Sequence, residues 1–226
     1  MKPAFIILLL CYSVLVQAQA QINLPLKHKL DSIYVLDQKY RAALTALNSG
    51  GKADSIAALF NRPAKGLQWF LISDMPRVDS LNMLKIRSVI KIYGYPGKSL
   101  VGELTNEVAW NVIQHSPHIK EYIRMVEKAA KHKEIPFTLY AKMQDRLLVE
   151  EGKEQIYGTQ IQGLSITNKN TGKQEMHMFV WPIYDASKVN ALRKKAGFDQ
   201  SIEAYAKTFG VTYLRMSLAE VEALRK

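Results

Sequence analysis

The sequence predicts an α+β fold, predominantly α-helical, with one β-hairpin in the C-terminal third. Three observations predict it. Apolar residues recur at three- and four-residue steps through most of the first 150 positions. After Gly152 the pattern turns β-like, over residues 154–166 and 174–181. Between those arms stands Asn168-Lys169-Asn170-Thr171-Gly172, which is turn chemistry.

The elements follow in order. Leu26, Leu30, Ile33, Tyr40, Leu44 and Leu47 predict an amphipathic helix over 26–47, ended by Ser49-Gly50-Gly51. Asp37 falls on its apolar stripe, with Arg41 one turn on. A short helix through Ile56, Ala57, Leu59 and Phe60 comes next. Pro63, Gly66 and Pro76 then break the chain, with Trp69 and Phe70 expected against neighbours. Residues 79–93 read as a helix through Leu81, Leu84, Val89, Ile90 and Tyr93, with Asp79 as N-cap.

"YGYPGKS" is a loop. Ser99 is expected to cap a helix running to about His115, packed by Val101, Leu104, Val108 and Val112. Ser116-Pro117 starts the next helix, to about Lys131. Pro136 breaks it, and a further helix covers 137–150. In the second hairpin arm Met176, Met178 and Val180 alternate with Glu175, His177 and Phe179. Asp185 is expected to cap a helix over 186–196, which Gly197 ends with Phe198 beyond it. Asp199 opens a short helix that stops at Gly210, "VTYLRM" is a strand candidate, and Ser217 to Glu220 is a capping box.

Of 226 residues, 48% are hydrophobic, which is enough for a core. The first twenty read as a signal peptide. Lys2 precedes an apolar run from Ala4 to Val16, and Ala18-Gln19-Ala20 is a cleavage signal. The run is short for a membrane span, and Leu10 before Cys11 disfavours a lipid anchor. The expectation is an exported chain, periplasmic or secreted, forming one helix-rich domain over 21–226 with no transmembrane segment. Cys11 is the only cysteine, so the remainder excludes thiol catalysis, CxxC redox chemistry and cysteine-ligated zinc.

The net charge is +11. Such a balance favours anionic surfaces. The basic residues are scattered, however, and no Lys/Arg block with interleaved aromatics marks a specific nucleic-acid site. The familiar phosphate-loop, dinucleotide, serine-hydrolase, zinc-protease and calcium-loop motifs are missing. His115 and His118 are three apart, but Ser116-Pro117 interrupts the helix that would align them. No metal and no cofactor is therefore expected.

Three polar constellations remain. Asp37 with Arg41 and Asp145 beside Arg146 are each ion-pair or acid–base candidates. Third, on the strand Gln155–Gln160, Gln155, Tyr157 and Thr159 share one face, and Gly158 leaves a gap on the other. That polar face either meets a ligand or satisfies Asp145 and Arg146 in a buried network.

These residues also carry a resemblance. "DQKYR" (37–41), "YGYPGKSLVG" (93–102), "AWNVIQHS" (109–116), "DRLLVEEGKEQIYGTQ" (145–160) and "PIYDASKVNALRKKAGF" (182–198) occur in one order across residues 30–206. The series resembles an uncharacterised bacterial domain-of-unknown-function family found in exported and hypothetical proteins, with the DR…G…Q-YGTQ block its most specific part. The resemblance implies no established activity. It places Asp37, Gln38, Arg41, His115, Asp145, Arg146, Gln155, Tyr157, Gly158, Thr159, Gln160 and Arg193 on motif positions. The chain departs where the family often has an Asp after the valine of the last motif, since Asn190 stands there.

Two functional classes follow. The first is a non-catalytic binding module with a polar cleft near the hairpin. Asp37, Gln38, Arg41, Arg146, Gln155, Tyr157, Thr159, Gln160 and Arg193 would contact an unknown small molecule or protein. The second is a hydrolase or transferase with His115 as base and Asp145 as its orienter.

Overall fold

The computed structural model describes residues 21–167 and 172–224. The signal-peptide reading and most of the hairpin turn lie outside those residues. Helix α1 (Leu24–Asn48) begins with Pro25 in its first turn, where a missing N–H costs nothing. Asn23 caps it, its Oδ1 accepting from the Leu26 amide at 3.0 Å. After α2 (Ala53–Ala58), helix α3 (Leu67–Tyr93) runs back against α1.

The expected break at Pro76 is absent, since Pro76 sits inside α3. A proline in a helix interior costs about 3 kcal/mol through its lost donor and its ring. Burial outweighs that cost here. Leu67 and Leu71 before the proline, and Met83, Ile86 and Val89 after it, are all buried. Asp79 is thus no N-cap. The helix also turns differently from expectation, so Trp69, Leu81, Leu84 and Tyr93 lie exposed.

The single helix expected over 99–115 is three pieces: α4 (Lys98–Val101), a 3₁₀ turn (Thr105–Glu107) and α5 (Val108–Gln114). Gly102 and Leu104 adopt positive φ of 83° and 68°, which no helix accommodates. Leu104 points outward rather than into the core. Ser99 does not cap α4; its amide is bonded by the Glu134 carboxylate at 2.9 Å. Helix α6 (Ile119–Lys131) starts two residues beyond Pro117, and α7 (Phe137–Glu150) follows. Leu30, Ile86, Ile113, Val126 and Met143, from α1, α3, α5, α6 and α7, meet in the main core.

Strands β1 (Ile161–Thr167) and β2 (Gln174–Val180) pair antiparallel, Ile161 opposite Val180 and Thr167 opposite Gln174. The first arm is shorter than expected. Residues 155–160 form a loop, apart from one bridge between Gln155 and Ile183. The expected alternation in β2 also fails, since Met176 and Met178 are exposed while Phe179 and Val180 are both buried. One end of this two-stranded ribbon is covered on both faces; the other is open.

Helix α8 (Val189–Ala196) begins later than the cap at Asp185 implies, because Asp185 closes a turn on the Ser187 and Lys188 amides. It ends as expected. Gly197 is left-handed, and the Phe198 amide reaches Arg193 O at 3.0 Å. Helix α9 (Ile202–Lys207) is capped by Ser201, not Asp199. Residues 211–216 form no strand. Helix α10 (Leu218–Leu224) carries the expected capping box: Glu220 accepts from the Ser217 amide at 2.7 Å, and Ser217 Oγ accepts from the Glu220 amide at 3.2 Å. Ile202, Val189, Ile183 and Val180 form a second core in this C-terminal part.

Candidate functional site

The polar motif residues sort into two groups. The first lies between α1, α3 and the end of α5. Asp37 sits on the apolar stripe of α1 and is fully buried. His115, at the C-cap of α5, turns its Nδ1 to Asp37, 3.3 Å from Oδ1 and 3.2 Å from Oδ2. Gln38 Nε2 donates to Asp37 Oδ2 at 2.7 Å. Arg41 Nη1 donates to the Asp37 carbonyl at 2.7 Å and stands 3.6 Å from its Oδ1. The same guanidinium makes a bidentate pair with Asp79 of α3, at 3.0 and 2.8 Å. The carboxylate of Asp37 thus holds an imidazole, and Arg41 ties it to the next helix.

This group opens on a cleft of about 540 Å³, lined by Pro76, Asp79, Met83, Arg87, His115 and His118. Arg87 and His118 on its rim both face Glu121, at 3.2 and 3.5 Å. Ser80 and Ser116 also line it, but each hydroxyl donates to a backbone carbonyl, of Pro76 and of Ile113.

The second group is a knot around Asp145 on α7. The loop after α7 folds over this buried carboxylate. Oδ1 accepts from the amides of Ile156 (2.7 Å) and Tyr157 (3.0 Å). Oδ2 accepts from the Thr159 amide (2.9 Å) and hydroxyl (3.0 Å). Burial pushes the Asp145 carboxyl above its ordinary range, and those donors pull it back only in part.

Arg193 of α8 closes the knot from the other side. Its Nη1 donates to Tyr157 O at 2.8 Å and its Nε to Gln200 O at 2.9 Å. Burial lowers its pKa, against the pull of Tyr205 and Asp145. Gln155 is fully buried, bonding Trp181 O at 2.7 Å, Gln160 O at 3.0 Å and the Gln160 amide at 2.8 Å. Gln160 Nε2 returns to Thr159 Oγ1 at 3.1 Å.

Gly158 leaves no gap. Its φ is +69°, and a Cβ there would stand 2.6 Å from Ile202 Cδ1 and 3.0 Å from Ile183 Cδ1. Arg146 takes no part in the knot; it faces solvent, 3.6 Å from Glu150.

The structure therefore brings Asp37, Gln38, Arg41 and His115 together, and separately Asp145, Gln155, Tyr157, Thr159, Gln160 and Arg193. The carboxylate on His115 is Asp37, where the sequence reading set Asp145. Asp79 is the member of the first group that sequence reasoning missed. A carboxylate nearly forty positions from Arg41 carries no local signal of that pairing. Among the described residues, no group of three His, Cys, Asp or Glu side chains is placed to hold a metal ion. Nor is any helix among them long and apolar enough to cross a membrane.

No curated protein and no solved structure matches the chain. One family model does match, over residues 41–214, most of the chain's length. The matched span takes in Arg41, Asp79, His115 and the whole Asp145 knot, and Asp37 lies just before it. The chain belongs to DUF6624, a family of unknown function.

Proposed function

We propose that the cleft beside α3 is a ligand site at which His115 moves a proton, with Asp37 as its orienting carboxylate. One observation carries the reading: a buried carboxylate bonds one nitrogen of an imidazole that lines an open cleft of about 540 Å³. In this reading the ionised carboxylate accepts, Nδ1 carries the proton and Nε2 keeps its lone pair. The same carboxylate stabilises the imidazolium that forms when Nε2 takes a proton. The lining serine hydroxyls are committed to backbone carbonyls. The attacking group would then be water or a group of the ligand itself, as in hydrolysis or in proton transfer within one molecule. In this reading the chain works outside the cytoplasm, after release near Ala20.

A second reading keeps the cleft and drops the chemistry. The bidentate Arg41–Asp79 pair supports it, since it ties α1 to α3 and would lock Asp37 and His115 as part of the scaffold. The protein is then a binding module whose ligand bonds to His115.

Nitrogen-resolved NMR of the His115 ring separates the readings from a purely structural role. The expected result is the Nδ1–H tautomer in the wild type, its loss in Asp37→Asn, and a shift of Nε2 when fragments enter the cleft. An Nε2–H tautomer sinks the proton-transfer reading. A ring unmoved by any fragment of a broad library sinks both.

A further inference from the structure

We propose that a second cleft, between α7 and the α8–α9 turn, binds a small oxyanion, a carboxylate or phosphate group, between Lys142 and Arg193. This cleft measures about 420 Å³ and shares no lining residue with the His115 cleft. Thr138 and Lys142 line it from α7, Arg193 from α8, and Gln200 from the turn.

Arg193 is only 2% exposed. A buried guanidinium needs partners for its five N–H groups. The knot absorbs one part of it: Nε goes to Gln200 O, and Nη1 goes to Tyr157 O at 2.8 Å and Gly158 O at 3.5 Å. Nη2 has no hydrogen-bond partner among the described residues and is not among their buried unpartnered atoms. It therefore keeps access to solvent, on a side chain that lines the cleft. The guanidinium is clamped between the rings of Phe198 and Tyr205, 4.7 and 4.9 Å from their centroids. Its orientation is set before any ligand arrives, so little side-chain entropy is lost on binding.

Lys142 supplies the second charge. It is half-buried, and its ammonium makes no hydrogen bond or ion pair among the described residues. Asp199 also lines the cleft, and the charges of Asp145 and Glu203 act on Arg193. Asp145 already accepts from the amides of Ile156, Tyr157 and Thr159. A fixed guanidinium edge and an unpaired ammonium lining one cleft make the donor set that carboxylates and phosphates select.

The test uses residues 21–226, titrated with inorganic phosphate and with acetate, at an ionic strength held constant with chloride. Amide NMR and thermal melts give the readout. Saturable shifts at Thr138, Gly197 and Gln200 with a raised melting temperature are expected for one anion or both; the stronger identifies the group. Arg193→Gln also strips three carbonyls of their donor, so Lys142→Gln carries the test. Its ammonium has no polar partner among the described residues, and the variant should weaken the anion roughly tenfold, a loss of one charge-assisted contact. Melts that respond to phosphate no more than to chloride overturn the proposal. So does a Lys142→Gln variant that binds as tightly as the wild type.

Discussion

At the residue scale, the Asp145 knot shows how one side chain organises a stretch of backbone. The loop 155–160 makes no strand, so its amides need acceptors elsewhere. Asp145 provides both oxygens to them, and Arg193 donates to the Tyr157 and Gly158 carbonyls of the same loop. Replacing Asp145 by Asn leaves one acceptor oxygen and turns an NH₂ group toward N–H donors. The expected cost is about 2–3 kcal/mol of unfolding free energy, from unsatisfied buried donors. Urea melts check it, and a loss below about 1 kcal/mol would show that the carboxylate is not what holds the loop. Gly158→Ala tests the other half of the device. It places a methyl against Ile202 at a positive φ, and about 2 kcal/mol or more should be lost.

At the scale of the element, α3 is the informative case. Pro76 removes the donor that would meet the Ile72 carbonyl, yet the helix is unbroken over all its 27 residues. Its two apolar halves dock on α1 as one face, and that continuity places Asp79 opposite Arg41. Pro76→Ala restores the missing bond while freeing the unfolded chain slightly. The net gain expected is about 1 kcal/mol, with a protected amide at position 76 in hydrogen exchange. A fall in stability would mean that the proline ring itself packs the helix. In α10 the sequence signal and the structure coincide, since Ser217 and Glu220 cap each other. Ser217→Ala should cost about 1 kcal/mol, read from the melting of the C-terminal segment.

At the scale of the whole molecule, carboxylates held below their ordinary range make stability depend on acid pH. Hydrogen bonds from Arg77 and Tyr40 hold Asp74 down at about 2, and Lys120 and Lys153 hold Glu151 at about 2. Asp74 links α3 to Tyr40 of α1, and Glu151 links the end of α7 to Lys120 of α6. Both carboxyls sit below their ordinary values of 3.8 and 4.5. Their contribution is therefore complete above about pH 4.5 and is lost as the pH falls toward 2. Asp145 runs the other way: raised by burial, it takes up a proton more readily when folded, which offsets part of that loss. Melting temperature against pH should decline across this window, and Asp74→Asn should flatten the decline. An unchanged slope in that variant would assign acid sensitivity to other groups.

The sequence by itself determined the helix-rich class, the late hairpin, and the caps at Gly197 and Ser217. Those are local properties, carried by a 3.6-residue period, a turn composition or a box four residues long. Tertiary structure decided what local pattern cannot encode. Packing against α1 overrode the break at Pro76, and backbone left without a strand partner recruited Asp145. His115 found its carboxylate 78 positions away, on Asp37. Gln155, Tyr157 and Thr159 looked from sequence like one polar face. In the fold the Gln155 side chain and the Tyr157 and Thr159 amides are bonded within the chain, because a buried loop must satisfy its own polar groups before it can offer any to a ligand.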